Sequence, residues 1–446
     1  MRQIVVLIIS ISAALIGPVY PKAALWGYIW FALSRPDVFS YSKGRFGYSE
    51  LMALSLLAGS VRYLINAGKA WIANPVSRLL ILLQIPVYLA TIGARYPQAA
   101  QTAHLQFLKM TAVVLLIPLI ITTLEDLKVI YIVAAISLGI WGLWEGTTAV
   151  LRGKSITVGI GGSMPGNNEF ACGLVMVIPF CWYGRSIVKN YYLRAVLLAM
   201  TFGSMAAVLM TFSRAGAISL MVIILMVALQ AKHKALTLLL IAMAMAPTLY
   251  LARDRFSDRM STLSNYEADN SAMARIVVAQ AALEVARDHP FGVGLGAANF
   301  VAASKPYMPP DSEGFVVHNS YLEMLVHSGI FAALIFTYML LSTTVRTWRS
   351  ARKWKGRPDL YPYPRALQLS LIAYMIESLF HPRSTFDLLY LILMYAAAWY
   401  TIERSLPREQ VAVQEPIRVP VASRGRRLAA GLQNLQPGRS KVISAT

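Results

Sequence analysis

A chain of 446 residues that is 57% hydrophobic and 14% charged, with a mean hydropathy of +0.55, lies outside the range of soluble globular proteins and reads as a polytopic membrane protein. The formal net charge of +20 does not indicate nucleic acid. The Lys and Arg residues fall in short loops between apolar runs and in the C-terminal tail, the pattern of a cytoplasmic face.

In chain order, apolar runs long enough to cross or nearly cross a bilayer lie near 3–20, 50–66, 76–94, 107–123, 127–144, 169–184, 192–211, 214–231, 235–252, 319–341, 366–381 and 386–402, with a shorter run at 23–34. The sequence predicts an all-α polytopic membrane protein of about twelve transmembrane helices. Thirteen spans would put the N-terminus outside and twelve would put it inside. Twelve is the expectation, with 3–34 forming one span and a short interfacial or re-entrant piece. The first run lacks a cleavage site and continues into membrane-like sequence, so it reads as a helix rather than a signal peptide. Cys172 and Cys181, the only cysteines, lie about 13.5 Å apart along one helix, too far for a disulfide.

Basic residues set the orientation. The stretch 342–365 carries Arg346, Arg349, Arg352, Lys353, Lys355, Arg357 and Arg365 against Asp359 alone, so it is assigned to the cytoplasm. The basic tail 403–446 joins it as a disordered segment after an integral membrane domain spanning 1–402. Counting back, 253–318 is an external loop, the longest connection in the chain, and loops of that length are usually functional. Within it Asn270 is expected to cap a helix ending at His289–Pro290. On that helix Arg275 shares a face with Ala279, Ala282 and Ala286, and Arg287 points elsewhere.

Three basic side chains fall at the external boundary. Arg214 opens an apolar helix with Ser213 as its cap; a helix N-terminus already favours anions, and a guanidinium adds full charge there. The alternative is an interfacial anchor that snorkels to the headgroups. His318 precedes Ser320 and Glu323, read as a capping box that starts the next helix near Tyr321. It is either a proton acceptor near neutral pH or a backbone-bonded interfacial histidine. In "GGSMPGNNEFA", Gly161 to Ala171, Asn167 or Asn168 can cap the following helix, and the same amides can orient a sugar or a diphosphate. Glu377 and His381 share a helical face and either pair or line a cavity. The closely spaced glycines of "GVGLGAANF" lack the strand–loop–helix setting of a nucleotide fingerprint and read as a turn. No metal-ligand spacing is present, and no cofactor is expected.

Several of these motifs carry a resemblance. "TFSRAG", "ARIVVAQAALEVARDHPFGVGLGAANF" and "HNSYLEMLVHSG", in that order and spacing, resemble the O-antigen ligase/polymerase superfamily. "PGNNEFACGLVMVIP" and "WFALSRPDVFS" resemble its subgroup of O-glycosylation ligases associated with the exosortase A system. The likeness is specific over about 160–340 and looser elsewhere. It implies a GT-C-type glycosyltransferase of the bacterial inner membrane, acting on the periplasmic side and moving a glycan from undecaprenyl diphosphate to a lipid, protein or polysaccharide acceptor without a metal or nucleotide.

By the same resemblance Arg214, Arg275 and His318 match the catalytic positions, with Arg287 the alternative loop arginine. Asn167, Asn168, Asn319 and Tyr321 are further substrate-binding candidates. A polymerase on the same lipid carrier shares the donor chemistry. A small-anion transporter, the rival of another class, would place its ionisable groups near the midplane in repeated halves, and the sequence has no such repeat.

Overall fold

The structure is a computed structural model that describes residues 2–36, 48–231, 233–264, 270–309 and 316–406. The predicted tail beyond 406 lies outside the described residues. The helices belong to one compact unit, Met1–Ser405. In order they are α1 (Arg2–Ile16), α2 (Pro21–Ser34), α3 (Tyr48–Leu64), α4 (Ala67–Ala73), α5 (Pro75–Ile92), α6 (Pro97–Val114), α7 (Ile117–Ile120) and α8 (Leu124–Arg152). A small antiparallel hairpin, β1 (Val158–Gly161) and β2 (Met164–Gly166), follows. Then come α9 (Asn167–Ile187), α10 (Tyr191–Met210), α11 (Arg214–Ala228), α12 (Lys234–Ser264), α13 (Asn270–Asp288), α14 (Ala297–Ser304), α15 (Ser320–Lys353), α16 (Pro362–Glu377) and α17 (Asp387–Ser405).

Among the described residues six helices are long and apolar enough to cross a membrane: α5, the α6–α7 stretch to Ile120, α8, α9, α10 and α15. The bent pair α3–α4 makes a seventh if it is one span. The protein is therefore a multi-pass, essentially all-α membrane protein. Several other helices are apolar but shorter, including α11. The stretch 3–34, expected as one span with a short interfacial or re-entrant piece, forms two helices, α1 and α2, of 15 and 14 residues. Pro21 in the first turn of α2 explains the break, since proline lacks the N–H that would continue α1 but is well suited to begin a helix.

At the centre is α9, buried along nearly its whole length. Glycines let its neighbours α8 and α10 approach closely. A Cβ on Gly146 would lie 2.1 Å from the Gly203 carbonyl oxygen, and one on Gly142 would lie 2.0 Å from Ser204 Oγ. Small residues at such a contact supply the packing that holds helices together in lipid, where apolar burial alone gives little drive. Cys172 and Cys181 are both free and buried.

The expected external turn before α9 is ordered differently from the sequence reading. Helix α8 runs on to Arg152, and Gly161 and Gly162, both at positive φ, turn the hairpin. Neither Asn167 nor Asn168 caps α9; the N-cap is Gly166. The start of α15 also differs. Its cap is Asn319, whose Oδ1 accepts from the backbone N–H groups of Tyr321 and Leu322 at 2.9 and 3.1 Å. Ser320 and Glu323 are thereby released from the predicted capping box.

The segment 290–294 is built into α15 itself. At Gly329 (φ 83°, ψ 176°) the helix breaks. Val293 N–H and Gly294 N–H donate to the carbonyls of Val326 and His327, and Ile330 N–H donates to Pro290, each at 2.9 Å. A break inside an apolar helix is tolerable only when the freed backbone groups find partners, and this segment supplies them. A small core seals the joint: Val278, Ala282 and Val285 of α13 with Val293, Phe300, Val317 and Val326.

A Cβ on Gly329 would lie 2.5 Å from the Phe291 carbonyl carbon. Gly329→Ala is expected to lower stability by about 1–3 kcal/mol and the unfolding temperature with it. Gly68→Ala, in a helix with nothing within 4 Å of the new methyl, serves as control. Equal unfolding temperatures for the two variants would show that the inserted segment does not constrain the fold.

Candidate functional site

Several elements bring charged side chains to the end of the bundle that carries His318. The turn after α16 places His381 and Arg383 there, and the first turn of α9 supplies Glu169. Arg383 is the hub. Its Nη2 pairs with Glu169 Oε1 and its Nη1 donates to the Ser163 carbonyl in the hairpin at 3.2 Å. Its Nε is buried with no hydrogen-bond partner among the described residues. The Arg383 backbone N–H donates to Ser320 Oγ at 2.9 Å, Ser320 Oγ donates to the His381 carbonyl at 2.6 Å, and Glu323 Oε2 accepts from Ser384 N–H at 2.8 Å. The two residues released from the capping box thus pin the 381–384 turn to the head of α15.

Beside this hub, His381 Nδ1 lies 3.2 Å from Glu377 Oε2, both side chains being buried. Of the two options open in the sequence, this pair takes the first. Arg35, in a left-handed conformation after α2, brings its guanidinium against the Gly162 turn.

His318 is half-buried, with Nδ1 enclosed and without a hydrogen-bond partner among the described residues. Burial is the largest influence on its pKa, followed by the positive charges of Arg275 and His381, and all three hold it below the ordinary histidine value. Glu169 pulls weakly the other way. These influences also record proximity: Arg275, His381 and Glu169 all lie within electrostatic reach of one imidazole. Arg287 is 82% exposed and leans towards Glu284 at 4.0 Å. Arg275, itself exposed, is the loop arginine whose charge reaches His318.

Arg214 opens α11 as expected, with Ser213 Oγ accepting from Gly216 N–H at 3.2 Å. This helix start abuts that of α9: a Cβ on Gly216 would touch Ala171 Cβ at 3.0 Å. Asn167 Nδ2 donates to the Thr211 carbonyl at 2.9 Å, so its amide ties the two helix starts together. Asn168 is half-buried in the same turn. Two candidates are occupied structurally. Asn319 caps α15 and also donates to the Leu379 carbonyl at 3.2 Å. Tyr321 packs edge-on against Phe336 and reaches towards the Met375 carbonyl at 3.5 Å, away from the charged cluster.

Sequence reading alone does not find Glu169, Glu323 or Arg383 as members of the cluster. The signal for Arg383 is present: an arginine in the short turn 381–386 lies in a loop that the sequence reading assigns to the external face, where the positive-inside rule makes such residues infrequent. Intramembrane or boundary charges of this kind mark functional sites.

A multi-pass helical membrane protein with a permanently charged, partly enclosed cluster at one membrane boundary is the class these features define. Residues 195–337 match the family model described as O-antigen ligase. That family implies ligase- or polymerase-type glycan transfer between a lipid-linked glycan and an acceptor. The matched stretch runs from α10 into α15 and includes Arg214, Arg275 and His318; Glu169, His381 and Arg383 lie outside it. No curated protein matches the chain.

Because its pKa is lowered, His318 stays neutral and able to accept a proton below the ordinary value of about 6.5. If it acts as a base, the acidic limb of the transfer rate should fall below that pH. Arg275→Gln removes one of the charges that depress it, so the imidazole titration of His318 followed by NMR should move upward. An unchanged titration would show that Arg275 does not act on His318.

Proposed function

We propose that the protein transfers a glycan from undecaprenyl diphosphate to an acceptor hydroxyl at the periplasmic face of a bacterial inner membrane, as an O-antigen ligase-like enzyme. The observation that carries this reading is that the stretch matching the family supplies His318 with the charge of Arg275 in reach, and opens a helix with Arg214 beside the helix start that carries Glu169. The reading takes 1–402 as the ligase domain, with about twelve spans in a GT-C-type arrangement and 253–318 as its periplasmic loop. The basic tail stays on the cytoplasmic side.

The chemistry needs three things. A diphosphate leaving group needs its developing charge stabilised, and Arg214 and Arg275 offer permanently charged, planar forks for it. The acceptor hydroxyl must lose its proton as its oxygen attacks the anomeric carbon. His318, neutral over a wide pH range, takes that proton while the bond from the anomeric carbon to the phosphate oxygen breaks. Undecaprenyl diphosphate departs with the electron pair, and inversion at carbon follows from a single displacement. The third requirement is access for a long lipid, which a site at the membrane boundary meets because the chain lies between helices. Glu169 and Arg383 act as positioning residues that hold the helix starts and the 381–384 turn around the reacting groups. The mechanism uses no metal or nucleotide.

The subgroup resemblance, to ligases associated with the exosortase A system, points to a polysaccharide or protein acceptor as readily as a lipid one. Purified protein supplied with an undecaprenyl-diphosphate-linked glycan and candidate acceptors should release undecaprenyl diphosphate. His318→Ala and Arg214→Ala should each slow this by about 100-fold or more. Arg214→Lys should fail nearly as badly, because an ammonium cannot make the bidentate contact. Full activity in Arg214→Lys would reduce Arg214 to a generic charge, and full activity in His318→Ala would remove the base. The product distinguishes a ligase, which caps an acceptor with a finished chain, from a polymerase, which yields a ladder of chain lengths.

A further inference from the structure

A cavity of about 430 Å³ is lined in part by Arg383 and not by its partner Glu169. Its volume falls in the range of small-molecule sites, about 300–1,000 Å³. Its wall comes from α6, the 295–300 segment, Val316 and Val317, the first turns of α15 and the 382–387 turn. None of Arg214, Arg275 or His318 lines it, so the proposed transfer chemistry leaves it unassigned.

The lining is mixed in a specific way. Glu323 and Asp387 present carboxylates, Arg383 a guanidinium and Gln106 an amide, while Phe107 and Phe300 supply aromatic surface. Glu323 is held by Ser384 N–H at 2.8 Å. His327, only 9% exposed, is also in the wall. Its Nε2 has no hydrogen-bond partner among the described residues, and its ring meets that of Phe300 edge-on at 6.4 Å. A buried polar atom left without a partner is costly, and a bound ligand that bonded to it would recover that cost. The wall is rigid. Gly294 N–H is bonded to the His327 carbonyl at 2.9 Å, and Asn299 Oδ1 accepts from Tyr96 N–H at 2.8 Å.

This inventory discriminates between ligand classes. Two carboxylates beside one guanidinium oppose a phosphate. A guanidinium in the wall opposes a simple ammonium. Apolar residues line much of the wall, but Glu323, Asp387, Arg383 and Gln106 beside them oppose a lipid tail, which offers them no hydrogen bond. A sugar ring satisfies the whole set: its hydroxyls donate to carboxylates and accept from an amide and a guanidinium, and its apolar face packs on aromatic rings. We propose that this cavity binds a pyranose ring of a substrate, with Glu323 and Asp387 accepting from ring hydroxyls and Gln106 and Arg383 donating to them. The proposal deepens the transferase reading and rests on it only for the origin of the sugar, which is either the acceptor or the donor glycan. Arg383, shared between this cavity and the Glu169 pair, fixes the sugar relative to His318.

The test uses the full chain in lipid nanodiscs with methyl glycosides of glucose, galactose, N-acetylglucosamine and glucuronic acid, read by saturation-transfer NMR. At least one glycoside should bind saturably, with Kd raised about tenfold or more in Asp387→Asn and in Gln106→Ala and unchanged in Arg214→Ala. Gln106 is exposed on α6, so its variant separates lost binding from lost folding. No saturable binding to wild-type protein, or unchanged Kd in both cavity variants, overturns the proposal. In transfer assays, a raised KM for the acceptor alone in Gln106→Ala assigns the cavity to the acceptor sugar. A raised KM for the donor alone assigns it to the donor. If neither KM moves, the cavity is not a substrate site. Sugar binding that persists in a protein with no transfer activity would keep the sugar site and reject the transferase reading.

Discussion

The backbone exchange at Gly329 is the constraint on which the functional end of the molecule depends. Breaking α15 frees the carbonyls of Val326 and His327 in an apolar setting, and the 290–294 segment answers them with its own N–H groups. Three bonds of 2.9 Å therefore join the segment that follows α13 to a long apolar helix. From that joint α13 extends with Arg275, and the head of α15 presents Glu323, Ser320 and the adjoining His318. Hinged only at its ends, a loop of this length would place Arg275 over a wide volume; docked into a helix break, it places it beside one histidine.

At the same end of the bundle, opposite charges withdrawn from water sit side by side. Arg383 pairs with Glu169, and the flanking Glu377 meets His381. Such pairs add little net stability over apolar packing. Their value is geometric. They lock the starts of α9 and α15 and the turn after α16 into one rim. The basic residues of the proposed transfer chemistry stand at that rim, where a lipid diphosphate would arrive from the bilayer and an acceptor from water.

The stretch that matches the O-antigen ligase family holds Arg214, Arg275 and His318 and spans α10 into α15. The partners that frame them, from α9 and from the 381–384 turn, come from outside it. The arrangement divides labour along the chain: one contiguous stretch carries the basic groups, and distant helices supply the acids and turns that orient them. The cavity behind Arg383 draws on both parts, with His327 and Glu323 from the matched stretch and Gln106, Phe107 and Asp387 from beyond it.

The sequence by itself determined the class. Hydropathy and loop charge read as a multi-pass helical membrane protein because lipid leaves no alternative for long apolar runs. Ser213 before Arg214 was legible as a helix start because capping is a local interaction, and the glycines after Pro290 were legible as a turn for the same reason. Local reasoning failed where tertiary partners compete for the same groups. Asn319 took the cap from Ser320 because Ser320 and Glu323 are claimed by the 381–384 turn, more than 60 residues away in sequence. Gly166 took the cap of α9 because Asn167 binds Thr211 across helices. The choice between Arg275 and Arg287 was likewise tertiary: both lie on one helix, and only the docking of that helix decides which faces His318. The pairing of Arg383 with Glu169 and the mixed lining of the cavity depend on contacts across more than 200 residues of chain, which no local pattern encodes.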